Sequence, residues 1–119
     1  MKKLAVVYLR RAQWDLVEAF KYIERDSPSR AKAWVDGVDR VLGRLASFPG
    51  SGAVPKDERL AALGYRVVVI GEHLAFYVLR RGKVEVRRVL HGKQRYLFLL
   101  GEAPRRSPFP SAAGSDIIR

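Results

Sequence analysis

The sequence predicts an α+β fold: an antiparallel helix hairpin packed on one face of a small, mostly antiparallel sheet, in the order β-α-α-β-β-β with a short C-terminal element. Three observations predict it. From position 10 to 48, apolar residues recur at three- and four-residue steps, the spacing of a buried helix face. From Gly64 to His91 they recur at two-residue steps in runs joined by short Gly-containing turns, GYRVVVIG, EHLAFYVLRRG and KVEVRRVLHG, which makes an antiparallel meander. Only the punctuation around Asp26-Ser27-Pro28 divides the helical stretch, so its two halves fold back on each other.

Leu4 to Leu9 (LAVVYL) is apolar and β-branched, and reads as a short buried strand closed by Arg10-Arg11. From about Arg10 to Arg25, Ala12, Leu16, Ala19, Phe20 and Ile23 share one helix face, which leaves Asp15, Glu18, Lys21, Glu24 and Arg25 to the solvated side. Trp14 and Tyr22 lie beside that stripe and read as packing residues. Ser27 caps a second helix with Pro28 at its first position, where the missing N–H costs nothing. The stripe of this helix, Ala31, Trp34, Val35, Val38, Val41, Leu42, Leu45 and Phe48, runs to the stop at Pro49-Gly50.

FPGSGAVPKDE, from Phe48 to Glu58, is a loop on composition, and Arg59 to Leu63 reads as a short strand. In the next strand Tyr65, Val67 and Val69 face one way, with Arg66, Val68 and Ile70 facing the other. Leu74–Leu79 is apolar on both faces and so belongs in the centre of the sheet. In Lys83–His91, Val84, Val86, Arg88 and Leu90 alternate with Glu85, Arg87, Val89 and His91. Tyr96 to Leu100 is a last apolar run. Residues 1–100 read as one domain and 101–119, with three prolines and three serines, as a tail.

The totals narrow the chemistry. Twenty-three Lys and Arg against 12 Asp and Glu give a formal charge of +11, a field that attracts phosphate backbones or an acidic protein. The excess is largest between 56 and 100, with ten cations and four anions. The absence of cysteine excludes disulfide frameworks, thiolate zinc sites and cysteine nucleophiles. Two histidines, His73 and His91, do not suggest a metal centre, and no cofactor is expected. The apolar run in MKKLAVVYL is too short for a signal-peptide core or a membrane span, so a cytoplasmic protein without membrane contact is expected.

The basic residues of the sheet segment could carry chemistry: Arg66 in one strand, then Arg87, Arg88, His91, Lys93, Arg95 and Tyr96 at the end of the last. Arg66 lies two strands from the final one, a separation of about two spacings of roughly 4.8 Å that long side chains can bridge around a phosphate. Arginine clamps phosphate bidentately, His91 titrates near neutrality, and Tyr96 can stack on a base or donate a proton. Such a set could cleave RNA through its own 2′-hydroxyl without metal. Each residue also has a structural use. Arg88, alternating with Val86 and Leu90, suits a buried cation paired with an acidic residue of the helices. Arg80, Arg81 and Lys83 flank a turn, and Lys56 and Arg59 sit in or beside a loop, where they could touch a partner or water.

At this point the chain resembles the RelE/ParE toxins of bacterial type II toxin–antitoxin modules. The resemblance rests on AQWDLVEAFKYIERDSPSRAKAWVD, on LASFPGSG, and on GYRVVVIGEHLAFYVL followed by VEVRRVLHGKQRY, and covers about residues 4–100. It implies a helix hairpin on a compact sheet and a cognate antitoxin, acidic or amphipathic, that wraps the toxin in a hetero-oligomer. One branch of the family cleaves mRNA in the ribosome; the ParE-like branch binds and inhibits DNA gyrase. Matched residue by residue, Arg66 falls on the Arg of the G-Y-R strand, and His91 and Tyr96 on V-L-H-G and the position near its end. With Arg95 these are the candidate catalytic residues, and Lys56, Arg59, Arg87 and Lys93 the candidate binding residues. Asp57 and Gln94 stand where the nuclease branch has cations. A phosphate clamp short of two cations favours the gyrase-binding mode, with ribosome-dependent mRNA cleavage as the alternative and a non-toxic nucleic-acid-binding domain as a third expectation.

Overall fold

The computed structural model describes residues 3–92; Lys93, Arg95, Tyr96, the rest of the last apolar run and the 101–119 tail lie outside them. The order is β1 (Ala5–Tyr8), α1 (Arg10–Asp26), α2 (Pro28–Arg44), α3 (Glu58–Ala62), β2 (Arg66–Ile70), β3 (His73–Arg80) and β4 (Lys83–His91). The sheet order is β1-β4-β3-β2, with β2–β3–β4 an antiparallel meander and β1 parallel to β4. The α+β expectation and the helix hairpin on one sheet face are borne out.

The two sheet faces carry separate apolar clusters. On the helix side, Ala12 and Ala19 of α1 and Trp34, Val38 and Leu42 of α2 meet Ile70, Ala75, Tyr77, Val84, Val86 and Val89. On the other side, Leu60 of α3 joins Tyr65, Phe76, Val78 and Leu90. β3 contributes to both, as a central strand must. Ser27 accepts from Arg30 N–H at 3.2 Å and caps α2, with Pro28 in the first turn. Among the described residues no helix is long and apolar enough to cross a membrane.

Four expectations are corrected. The stretch read as strand Arg59–Leu63 is the helix Glu58–Ala62 with Leu63 as its C-cap, because Asp57 caps its start: Oδ1 accepts from Arg59 N–H at 2.9 Å and Leu60 N–H at 3.2 Å. α2 ends at Arg44 and passes into turns, so Phe48 is exposed. Trp14 and Tyr22 are also exposed, at 58% and 68%, since the narrow stripe between them already fills the sheet contact. Asp15, assigned to the solvated side, is buried at 5% exposure against β4.

Strict alternation also fails in β4. The tight hairpin pairs Arg80 with Lys83 and continues to Tyr77 with Val86, but Phe76 then pairs with Arg88. Arg87 is the extra residue of a β-bulge. Val86 and Val89 consequently both reach the helix-side core, three positions apart, and Leu90 reaches the other.

Candidate functional site

The loop between α2 and α3 is bound to the sheet by two side chains of adjacent strands. Tyr77 is fully buried; its hydroxyl donates to Pro49 O at 2.7 Å and accepts from Gly52 N–H at 3.0 Å. Burial raises the Tyr77 pKa, which keeps the phenol protonated as a donor. Arg66, its neighbour on β2, donates through Nη1 to Gly50 O at 3.1 Å and Gly52 O at 2.9 Å. Gly52 has no room for a side chain, because a Cβ there would lie 2.5 Å from Tyr77 Oη. Ala53 then pairs with Val67 by reciprocal backbone bonds and covers part of the β2 edge.

A second anchor lies where β1 ends. Leu9 N–H donates to Val86 O. Beyond that point Asp15 of α1 takes the bulged segment: Arg88 donates to it through Nε at 2.7 Å and Nη2 at 3.1 Å, and Val89 N–H at 2.9 Å. Arg11 lies 4.0 Å away, also buried, and burial lowers its pKa, with the neighbouring Arg88 adding to the shift. Arg88 is thus the structural cation that its alternation suggested.

The other candidates are dispersed. Arg87 bonds Glu85 at 3.1 Å and lies over the Tyr65 ring at 5.7 Å. Arg59 pairs with Asp57 at 3.1 Å, and that bond is the main reason the Asp57 carboxyl sits below its ordinary pKa. Lys56 is exposed in the loop before α3. Lys93, Arg95 and Tyr96 fall outside the described residues.

His91 lies far from Arg66. It pairs with His73, which pairs with Ile70, and Arg66 is at the opposite end of β2. The strand length and two inter-strand spacings put their backbones roughly 16 Å apart. The Arg66 guanidinium, held by the loop carbonyls, does not reach toward His91. The two do not form one phosphate clamp.

His91 has its own surroundings. The His73 and His91 rings meet edge to face with centroids 5.3 Å apart, and Trp34 tilts against His73 at 5.1 Å. Glu72 Oε1 lies 3.5 Å from His91 Nε2. Burial lowers the His73 pKa, and His91 lowers it further. Among the described residues no group of three or more His, Asp or Glu is placed to hold a metal ion. The pairing of His73 with His91 is not expected from the sequence, because the hairpin register, counted back from Arg81-Gly82, sets His73 opposite Leu90. The bulge moves it opposite His91.

Compared with protein families, residues 6–96 match the family described as the ParE toxin of type II toxin–antitoxin system, parDE. A search of curated proteins returns no match.

Proposed function

Because the chain belongs to the ParE toxin family, a family of type II toxin–antitoxin toxins with cognate antitoxin partners, we propose that it stops growth by binding DNA gyrase. A cognate antitoxin with an acidic contact segment neutralises it, drawn by the +11 charge. One observation carries the choice of mode. The Arg66 guanidinium is committed to Gly50 and Gly52 carbonyls, at the far end of the sheet from His91. RNA cleavage needs base, acid and cation around one phosphate, within hydrogen-bond reach, and these two residues are too widely separated to share one. Asp57 fits the same reading, since its place is taken by a helix cap rather than a phosphate-binding cation. Exposed Lys56 and Arg59 are then partner contacts, and His91, Arg95 and Tyr96 serve binding rather than chemistry.

The test pairs a gyrase supercoiling assay on purified protein with primer extension on translated messages during toxic expression. Inhibited supercoiling, relieved by the antitoxin, without new 5′ ends is the expected result. New 5′ ends with supercoiling unaffected would establish the mRNA-cleaving mode instead.

A further inference from the structure

The β3–β4 hairpin ends in cations that neither the core nor the residues assigned to gyrase binding account for. Arg80 and Lys83 pair across the turn, with Arg81 and Gly82 between them. Lys83 also pairs with Ala5 of β1, and Lys3 lies two residues before Ala5. Because β1 runs parallel to β4, Lys3 sits on the side of Ala5 toward the turn. Three adjacent strands thus bring Lys3, Lys83, Arg80 and Arg81 to one end of the sheet, across two inter-strand spacings or roughly 10 Å.

Three features mark this tip as a working surface. Lys3, Arg81 and Lys83 are exposed and Arg80 partly so. Among the described residues none of the four has an ion-pair partner, and Glu85, the next carboxylate along β4, is held by Arg87 at 3.0 Å. Arg80 and Lys83 are like charges set directly opposite each other, an arrangement that costs a hairpin stability. Arg81, with φ 54°, is the one non-glycine residue at positive φ among the described residues. Asparagine or glycine makes such a turn at lower cost, so the turn itself does not call for an arginine. Backbone outliers of this kind collect at binding and catalytic sites. Both costs concentrate positive charge at the same tip.

We propose that the tip binds the phosphate backbone of double-stranded DNA, independently of base sequence. Duplex DNA carries one charge per about 1.7 Å of its axis, so a patch of this width faces several phosphates at once. Arginine matches phosphate oxygens in pairs, and lysine adds a point charge. None of residues 80–83 is aromatic, so the turn offers unpaired bases nothing to stack on, which disfavours a single strand. A protein partner would want a buried apolar anchor at the centre of the contact. The large apolar residue beside the turn, Leu79, alternates to the face of Tyr77, opposite that of Arg80. Affinity at the tip therefore comes from charge and counterion release.

The test is the affinity of the full-length protein for a mixed-sequence duplex, read by fluorescence anisotropy from about 50 to about 200 mM salt. Each phosphate contact contributes about 0.9 to the slope of log affinity against log salt. R80Q/R81N/K83Q is expected to reduce that slope by about 2–3. R81N alone suits the turn better than arginine, so it is expected to keep or raise the thermal midpoint and still lose about one unit of slope. Weakened binding is then distinct from unfolding. A charge-matched control, K21Q/R25Q/R40Q, removes three exposed cations of the helix hairpin and is expected to change the slope far less. Equal losses in the control and the tip variant would overturn the proposal, by assigning binding to the net charge of +11. So would an undiminished slope in the tip variant, or tighter binding to the corresponding single strand. Displacement of the duplex by a glutamate-rich peptide of equal charge would also overturn it, making the tip a docking site for an acidic protein. The assay contains neither gyrase nor ribosome, so its outcome is separate from the supercoiling and primer-extension results.

Discussion

Asp15 and Arg88, 73 positions apart in the chain, are joined by two hydrogen bonds, and the same carboxylate takes the Val89 N–H of the bulged strand. Both side chains are under 5% exposed. Removing one member leaves the other charge buried without its counter-ion, which costs about 3–5 kcal/mol. Asp15→Ala is therefore expected to lower stability by that amount in guanidinium unfolding. Replacing both residues by apolar ones of similar size is expected to be milder, because the Arg88 charge is then removed together with Asp15, although Arg11 stays buried beside them. Equal losses in the single and the double variant would show that the network acts through packing alone.

The loop anchor gives a second expectation. Tyr77→Phe keeps the ring but leaves Gly52 N–H and Pro49 O without the hydroxyl, at a cost of about 1–3 kcal/mol for groups stranded in a buried place. Arg66→Ala removes two charge-assisted bonds to the same loop and is expected to cost a similar amount. Because Arg66 supports the loop, its loss should lower the unfolding midpoint while gyrase inhibition persists at temperatures where the variant remains folded. Supercoiling inhibition measured beside circular dichroism separates the two effects. Lost inhibition in a fully folded Arg66→Ala protein would place Arg66 in the contact itself.

The β3–β4 turn carries a local strain that substitution can relieve. Arg81 has φ 54° and Gly82 φ 74°, the pair of positive values a type I′ hairpin turn requires. Arginine tolerates that region poorly, whereas asparagine is the residue most often found there. Arg81→Asn is expected to stabilise the protein by about 0.5–1 kcal/mol, read as a rise in thermal midpoint.

Elements with a regular period were legible in the sequence, and those set by a local exception were not. The helix hairpin, the Ser27-Pro28 start of α2 and the central place of β3 followed from spacing, because repeated burial on one face leaves a repeated pattern. Asp15 broke the pattern, since a charge that belongs to a distant strand looks like any solvent-facing acid until that strand is placed. Glu58–Ala62 was misread because its five residues are too few for a helical period, and the capping role of Asp57 was the signal available. The candidate site suffered most. Arg66 and His91 were grouped by strand order, which ignores position along the strand, and the bulge at Arg87 that sets His91 opposite His73 has no mark in the sequence.

The same histidine pair makes stability depend on pH in a defined direction. Burial against Trp34 holds the His73 pKa below its ordinary 6.5, and His91 pushes it lower, with Glu72 and Asp15 opposing. The unfolded chain therefore binds a proton at His73 more readily than the folded one. Stability from this group is fully present above pH about 6.5 and is lost as pH falls through the lower folded value, with a slope of at most about 1.4 kcal/mol per pH unit for one proton. Guanidinium midpoints taken from pH 8 to pH 5 should stay level at first and then decline below pH about 6.5, before most carboxylates begin to titrate. His73→Gln keeps a polar side chain of similar reach without the titration, and is expected to flatten the decline. A decline of the same size in His73→Gln would assign it to His91 or to another group.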